Sequence, residues 1–381
     1  MRRYFHLVTF MCAAAIAAPA KAQRSTYVGT LGRDTLSLEQ VVRSPESITG
    51  DWISLYGGIM VHHYELTLRP DGTVSRYQLN LHRLSGKVDG DIDIRFVDDS
   101  MIVRNAAGEE LRAQVGEAFP MFTSTMGPID LILTRARAGG RDSSFTATVG
   151  AFGPYRRGGM PIVFFHGDSV RFGNPRAPLV ARIDAGGHVL GMSARATTTR
   201  TETRRVADFD VFAAAAHFPN VADSVGITGV PAISPRDTVR TTIGAASVMI
   251  DYGRPAVRGR KVFSHGVLGD TIWRTGANAA TQFVTTRDLI VGGDTLRAGA
   301  YSLWTRVSPD DSSYRLLFNT QTGQWGTEHH PERDVLSVPL SRSALQSAAE
   351  RLTIRLANGE RTSQFRLEWA NTALTIPMTS R

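Results

Sequence analysis

Tyr64-Glu65-Leu66-Thr67-Leu68, then Pro70-Asp71-Gly72, then Tyr77-Gln78-Leu79-Asn80-Leu81-His82 reads as two strands joined by a tight turn. Tyr64, Leu66 and Leu68 alternate with polar residues, as do Tyr77, Leu79 and Leu81, so each run presents one apolar face. Pro-Asp-Gly supplies the turn chemistry between them. The same pattern recurs at 180–183 and 189–192, joined through Asp184-Ala185-Gly186-Gly187. Beyond residue 235, short strand-forming runs follow at 238–243, 247–252, 281–286, 301–307, 314–319, 335–338, 352–356, 365–369 and 374–377. This predicts a mainly β chain of two antiparallel β domains. The first is a curved sheet or half-barrel with one or two helices, and the second a β-sandwich.

Helical signals are few. Ile129, Ile132, Leu133 and Ala136 fall at helical spacing between Pro128 and Gly139-Gly140, which predicts a helix over 127–138. The alanine run 213–216, stopped by Pro219, predicts another over 207–217. Ser343 and Gln346 fit a capping box before a helix over 344–351, but a strand connection suits that segment equally. Gly32-Arg33-Asp34-Thr35-Leu36 and Gly293-Asp294-Thr295-Leu296 both read as hairpin entries and not as a repeat.

At the amino end, Arg2 and Arg3 precede an apolar run over 7–18 and the small-residue stretch Pro19-Ala20-Lys21-Ala22. That is the layout of a secretory signal peptide, assigned to 1–22. The apolar run is well short of the roughly 20 residues a membrane helix needs, and no later segment is long and apolar enough. The expected divisions are therefore a signal peptide 1–22, an N-terminal antiparallel β domain with helices 23–219, a linker 220–232 with Gly226, Gly229 and Pro231, and a second β domain 233–381. Export to the periplasm or beyond is the expected fate.

The one cysteine, Cys12, lies inside the leader without the small residue that precedes a lipid-modified cysteine. A cysteine-free mature chain has neither disulfides nor thiolate chemistry. Of the formal charge of +8, Arg2, Arg3 and Lys21 leave with the leader, so the mature protein carries +5. The cations are almost all arginine, which favours bidentate contact with carboxylate, phosphate or sulfate. They are scattered, and no nucleic-acid module is recognisable, so nucleic acid is not an expected partner.

Reading on from Ser234, a series of motifs follows in order: Ile250-Asp251-Tyr252-Gly253-Arg254-Pro255, Gly259-Arg260-Lys261, residues 271–281 (Thr-Ile-Trp-Arg-Thr-Gly-Ala-Asn-Ala-Ala-Thr), Ala298-Gly299-Ala300-Tyr301-Ser302-Leu303-Trp304, Phe318-Asn319, Gln324-Trp325-Gly326 and Asp334-Val335. From about Ile233 to Met378 the chain resembles a bacterial family of unknown function, DUF2911. The resemblance implies an exported or envelope-associated β-rich domain and brings no activity, substrate or cofactor. It also implies an acidic residue where this chain has Ala279, so any role for that acid is missing here.

The residue types of this block are those that grip an anionic or planar ligand. Asp251, Arg254, Arg260, Lys261 and Arg274 stand in sequence beside Tyr252, Trp273, Asn278, Tyr301 and Trp325, a set suited to bidentate bonding and ring stacking. The plainer reading has Asp251 clasping an arginine, Trp273 and Trp325 in the core, and Gly276 and Asn278 shaping a turn.

Other chemistry has weaker support. No Gly-x-Ser-x-Gly elbow, phosphate loop or dinucleotide fingerprint is present, and no cofactor is expected. His329, His330 and Glu332 offer a weak alternative metal site without a ligand-spacing signature. Asp251, Asp334 and Glu332 are the acids an exported hydrolase would use. The leading expectation is a non-enzymatic envelope protein for binding or assembly, with a glycan, lipid or other anionic component as partner. The alternative is a hydrolase using carboxylates or a His-ligated metal.

Overall fold

The computed structural model describes residues 22–55, 59–84, 88–104, 108–116, 118–120, 125–139, 144–150, 157–175, 178–197, 200–218, 233–263, 268 and 272–380. The expected linker and, Ala22 apart, the expected leader lie outside them. The chain is mainly β, with two antiparallel sheets, no closed barrel and two helices among the described residues.

The first sheet has fifteen strands. Eight follow one another as an antiparallel meander from Gln23–Leu31 to Glu110–Gln114, and the remaining seven run back from Glu202–Val206, which pairs with Gln23–Leu31, to Phe119–Pro120. The Pro-Asp-Gly hairpin forms as read, with Met60–Leu68 against Val74–Arg83 and Tyr64 opposite Leu79. Tyr64, Leu66, Tyr77 and Leu79 are buried in one cluster with apolar residues from both wings of the sheet. A single core drawn from both wings requires the sheet to curl.

Helix α1 (Met126–Ala138) fills that curl, with nine of its residues buried. A helix so enclosed must find partners for its orphan N–H groups within the protein. The Met126 N–H donates to the Glu39 carboxylate at 2.7 and 2.9 Å, the Gly127 N–H to the Tyr64 hydroxyl at 3.1 Å, and the Tyr64 hydroxyl to Glu39 at 2.6 Å. Burial is the largest influence on Glu39 and pushes its pKa up to about 7, against the hydrogen bonds that favour its ionised form. One turn later Asp130 pairs with Arg43, meets His188 Nδ1 at 3.1 Å and accepts the Val189 N–H at 2.7 Å.

Helix α2 (Val211–Ala216) is shorter than the 207–217 expected. Asp210 caps it by accepting the Phe212 and Ala213 N–H groups at 3.0 Å each, while Asp208 is drawn to Thr26 and Gln40 on the sheet. Val211 and Ala215 pack on Leu38, Ile53 and Val61, whose sequence parity puts them on the outer face.

The second sheet has ten strands, and its main path runs from Arg236–Ile243 at one end to Asp294–Leu296 at the other. Its two layers are joined through one 23-residue strand, Asp334–Leu356, paired with the 19-residue strand Thr362–Ser380. Their register jumps between Ala344 and Ala349 and again before Thr353, and Ala370 has φ 48°. Such bulges let a long strand turn a corner and serve both layers. The segment 344–351 is thus strand, because its partner supplies the hydrogen bonds a helix would have made internally. One core cluster draws on both layers, including Ile250, Phe283, Leu303, Phe318, Trp369 and Ile376.

The two sheets meet at the tip of the first hairpin. The Arg33 N–H donates to the Arg258 carbonyl at 2.9 Å, and the Arg258 guanidinium, buried at 7% exposure, pairs with Asp34. Gly32 sits at φ +63° with the Arg258 carbonyl only 2.2 Å from where a Cβ would stand, so a larger residue there would push the halves apart.

Candidate functional site

Residues 273–281 form a turn fixed from several sides. The Trp273 indole N–H donates to the Gly276 carbonyl at 3.0 Å, and Thr281 donates to the Thr275 carbonyl at 3.0 Å. Thr275 meets the Thr305 hydroxyl at 2.9 Å, and both Thr275 and Asn278 have positive φ. The Gln324-Trp325-Gly326 motif closes the turn: the Ala280 N–H donates to the Gln324 carbonyl and the Gly326 N–H to the Asn278 carbonyl. A Cβ on Gly326 would lie 1.8 Å from Arg274 Cδ, so glycine is what lets the motif lie against that arginine.

This turn also walls a cavity where the two sheets meet. Trp273, Arg274, Gly276, Ala277 and Asn278 line it from the turn, joined by Pro255, Arg260 and Trp369 from the same sheet, by Ile233 and Ser234, and by Leu31 and Arg200 from the first half. The Trp273 and Trp369 rings stack at 5.7 Å and 16°. The cavity offers ≈ 70 Å³ to water-sized occupants. One water needs about 10–15 Å³ on that measure, so the space suits a few waters or one small polyatomic ion.

Three guanidiniums and no carboxylate line this space. Arg274 is 7% exposed. Burial, and then the charge of Arg200, bring its pKa down to about 10. Burial, followed by Arg258 and Arg200, does the same for Arg260, while Asp34 and Glu350 pull it upward. Arg200 is lowered by burial and by Arg195. All three stay cationic at neutral pH. Trp369 is 1% exposed, and its indole N–H has no acceptor among the described residues.

Of the ten candidate ligand residues, Arg260, Trp273, Arg274 and Asn278 come together here. The others are placed elsewhere. Asp251 forms a bidentate pair with Arg236, its closest contact 2.8 Å. Arg254 binds the Leu352 carbonyl, Asp237 and Thr353, and the Tyr252 hydroxyl accepts the Ile354 N–H at 2.9 Å. The Tyr301 hydroxyl donates to the Arg297 carbonyl, and Lys261 lines a separate, more open hollow with Glu350 and Asn371. Trp325 is 47% exposed, so the plainer expectation of a core residue fails for it while holding for Trp273, at 4%. Its backbone bridges Ala279, which fixes the loop and leaves the ring outside.

Arg200 was not among the sequence candidates. It lies outside the motif block in the threonine-rich stretch 197–201, and nothing local marks it. Trp369 reads from sequence as one more strand residue.

His329 and Asp334 do meet, at 3.0 Å, but their side chains are only 10% and 13% exposed. Asn319 holds Asp334 and the Trp304 ring lies against His329. His330 pairs separately with Glu332 at 3.1 Å. No group of three His, Cys, Asp or Glu able to hold a metal ion occurs among the described residues.

Residues 234–378 match the family model described as "Protein of unknown function (DUF2911)". No curated protein matches the chain. Among solved structures it is similar to a DUF1089 family protein from Pseudomonas aeruginosa, with 11% identity and a TM-score of 0.31 over 49% of this chain and 95% of that one. It is also similar to a β-barrel-like protein of DUF1849 from Brucella abortus, with 9% identity and a TM-score of 0.34 over 50% of this chain and 96% of that one. The DUF2911 segment contributes two of the three cavity arginines and both stacked tryptophans, and the preceding half contributes Arg200.

Proposed function

We propose that this is an exported bacterial envelope protein that binds its ligand without converting it, holding one anionic group in the cavity between its two halves. The observation that carries this reading is the gathering of Arg200, Arg260 and Arg274 around a small space whose lining has no carboxylate. Like charges brought together and desolvated raise the free energy of the empty protein. An anion reverses that cost through charge-assisted hydrogen bonds. The volume of ≈ 70 Å³ favours the acidic group of a glycan or lipid as the occupant over an acyl chain or a whole sugar ring. The hydrolase reading has less support, because Asp334 and His329 are nearly covered and already paired.

Export rests on the leader-like sequence of 1–22. Expressing the full chain, fractionating the cells and sequencing the mature amino end tests it, with a start at Gln23 expected. An uncut chain retained in the cytoplasm would overturn it. Binding is tested by calorimetry and thermal shift on the mature chain with phosphate, sulfate, acetate and galacturonate. An anion at a hundredfold its Kd stabilises the fold by about 2.7 kcal/mol, and Arg274→Gln removes that gain. No shift with any of these anions refutes the reading.

A further inference from the structure

Helix α1 is tethered to the sheet that encloses it through two acids. Its own N-cap residue, Thr125, makes no side-chain capping bond. The cap comes instead from the sheet, where Glu39 on the strand Asp34–Arg43 takes the Met126 N–H and the Tyr64 hydroxyl. One turn later Asp130 of the helix pairs with Arg43 on that same strand, and with His188 and the Val189 N–H on the other wing. The strands are held to one another by ladders of backbone hydrogen bonds, which α1 does not share. The helix can therefore leave the curl without breaking a ladder, which marks it as a unit of local opening.

Two groups at these tethers change charge near neutral pH, and they pull the same way. Burial raises Glu39 to about 7, and the hydrogen bond to Asp130 raises His188. Each contribution to docking is full below the unperturbed value, 4.5 for Glu39 and 6.5 for His188, and is lost as pH rises through the folded-state value. The other groups around the helix are Tyr27, Tyr64 and Tyr77, kept neutral chiefly by burial, and Asp184, which accepts the His188 N–H at 2.9 Å. Arg43 and the helix's own Arg135 and Arg137 are cations throughout. Arg135 donates to the Asp71 carbonyl at 2.8 Å, and Arg137 lies over the Phe164 ring.

We propose that α1 is a proton-controlled latch: protonated Glu39 and His188 hold it in the curl of the first sheet, and their deprotonation lets it open ahead of global unfolding, baring the sheet's apolar inner face. Neither group lines the junction cavity, so the latch stands whether or not an anion binds there. Hydrogen exchange on the mature full-length protein from pH 5 to pH 8, corrected for the intrinsic pH dependence of exchange, tests this. The opening of 126–138 should rise at least about tenfold over that range, and at every pH exceed that of the strands Met60–Leu68 and Val74–Arg83. Glu39→Gln should remove the rise between pH 5 and 7, and His188→Gln the rise above pH 6.5. If Glu39→Gln fails to fold, the wild-type and His188→Gln series decide. Helix opening that ignores pH, or a rise that survives intact in His188→Gln and Glu39→Gln, would sink the proposal. Equal exchange of the helix and the two strands would show unfolding of the whole sheet and no latch.

Discussion

Both halves of this protein bury charge, and they do so in opposite ways. In the first, Glu39 and Asp130 sit beneath α1, and each is surrounded by groups that answer it: the Met126 N–H and the Tyr64 hydroxyl around Glu39, and Arg43, His188 and a backbone N–H around Asp130. At the junction with the second half, Arg200, Arg260 and Arg274 share a cavity whose lining has no acid, and each lowers or is lowered by a neighbouring cation. Buried charge with its counter-groups in place is architecture. Cations gathered round a small cavity are what the proposed anion would complement.

The contrast is broken most forcefully at Glu39. Glu39→Ala leaves the Met126 N–H and the Tyr64 hydroxyl without an acceptor in the core, and at pH 5 it should cost about 3 kcal/mol in urea unfolding. The effect depends on pH, with a sign set by burial. The folded-state pKa of about 7 lies above the unfolded value of 4.5, so protons bind the folded form more tightly between them. The stability contributed by this group is full below about pH 4.5 and lost as pH rises to about 7, on the order of 3 kcal/mol. His62 acts oppositely: burial lowers its pKa to about 4, so its contribution is present above pH 6.5 and lost as pH falls toward 4. Glu39→Gln keeps an acceptor and should abolish the decline toward neutral pH while leaving the acid limb. An unchanged slope between pH 5 and 7 in Glu39→Gln would show that the carboxyl is not what titrates.

The arginine cluster should answer the same treatment differently. Arg200→Gln removes one of three like charges, so the ligand-free protein should change by less than about 0.5 kcal/mol, or gain stability. A loss of 2 kcal/mol or more without ligand would place Arg200 with Glu39 and Asp130 as architecture and dissolve the comparison. Urea midpoints at equal slope decide between the two.

The sequence carried much of the fold because alternation and turn chemistry are local. Tyr64, Leu66, Tyr77 and Leu79 announce a buried face, and Pro70-Asp71-Gly72 fixes the hairpin, before any distant contact forms. Residues 344–351 were ambiguous because the deciding interaction is a cross-strand ladder with a partner some twenty residues away, interrupted by bulges. The late start of α2 depended on where Asp208 and Asp210 turn their side chains. The site was legible only in part for the same reason. Arg260, Trp273, Arg274 and Asn278 carry visible motif context, whereas Arg200 and Trp369 reach the cavity through tertiary approach alone.

The smallest expected effect sharpens the comparison from the other side. Asp251 belongs to the motif block and had been a candidate for ligand binding, yet it is clasped by Arg236 with both side chains about one-third exposed. A solvent-screened pair of this kind is worth at most about 1 kcal/mol. Asp251→Asn should therefore lower stability by no more than that, lose even this difference in high salt, and leave anion affinity unchanged. A tenfold change in anion affinity would mean that the Asp251–Arg236 pair shapes the cavity from a distance. The division between paired charge and the cavity arginines would then run through the second half itself, instead of between the junction cavity and the rest of the protein.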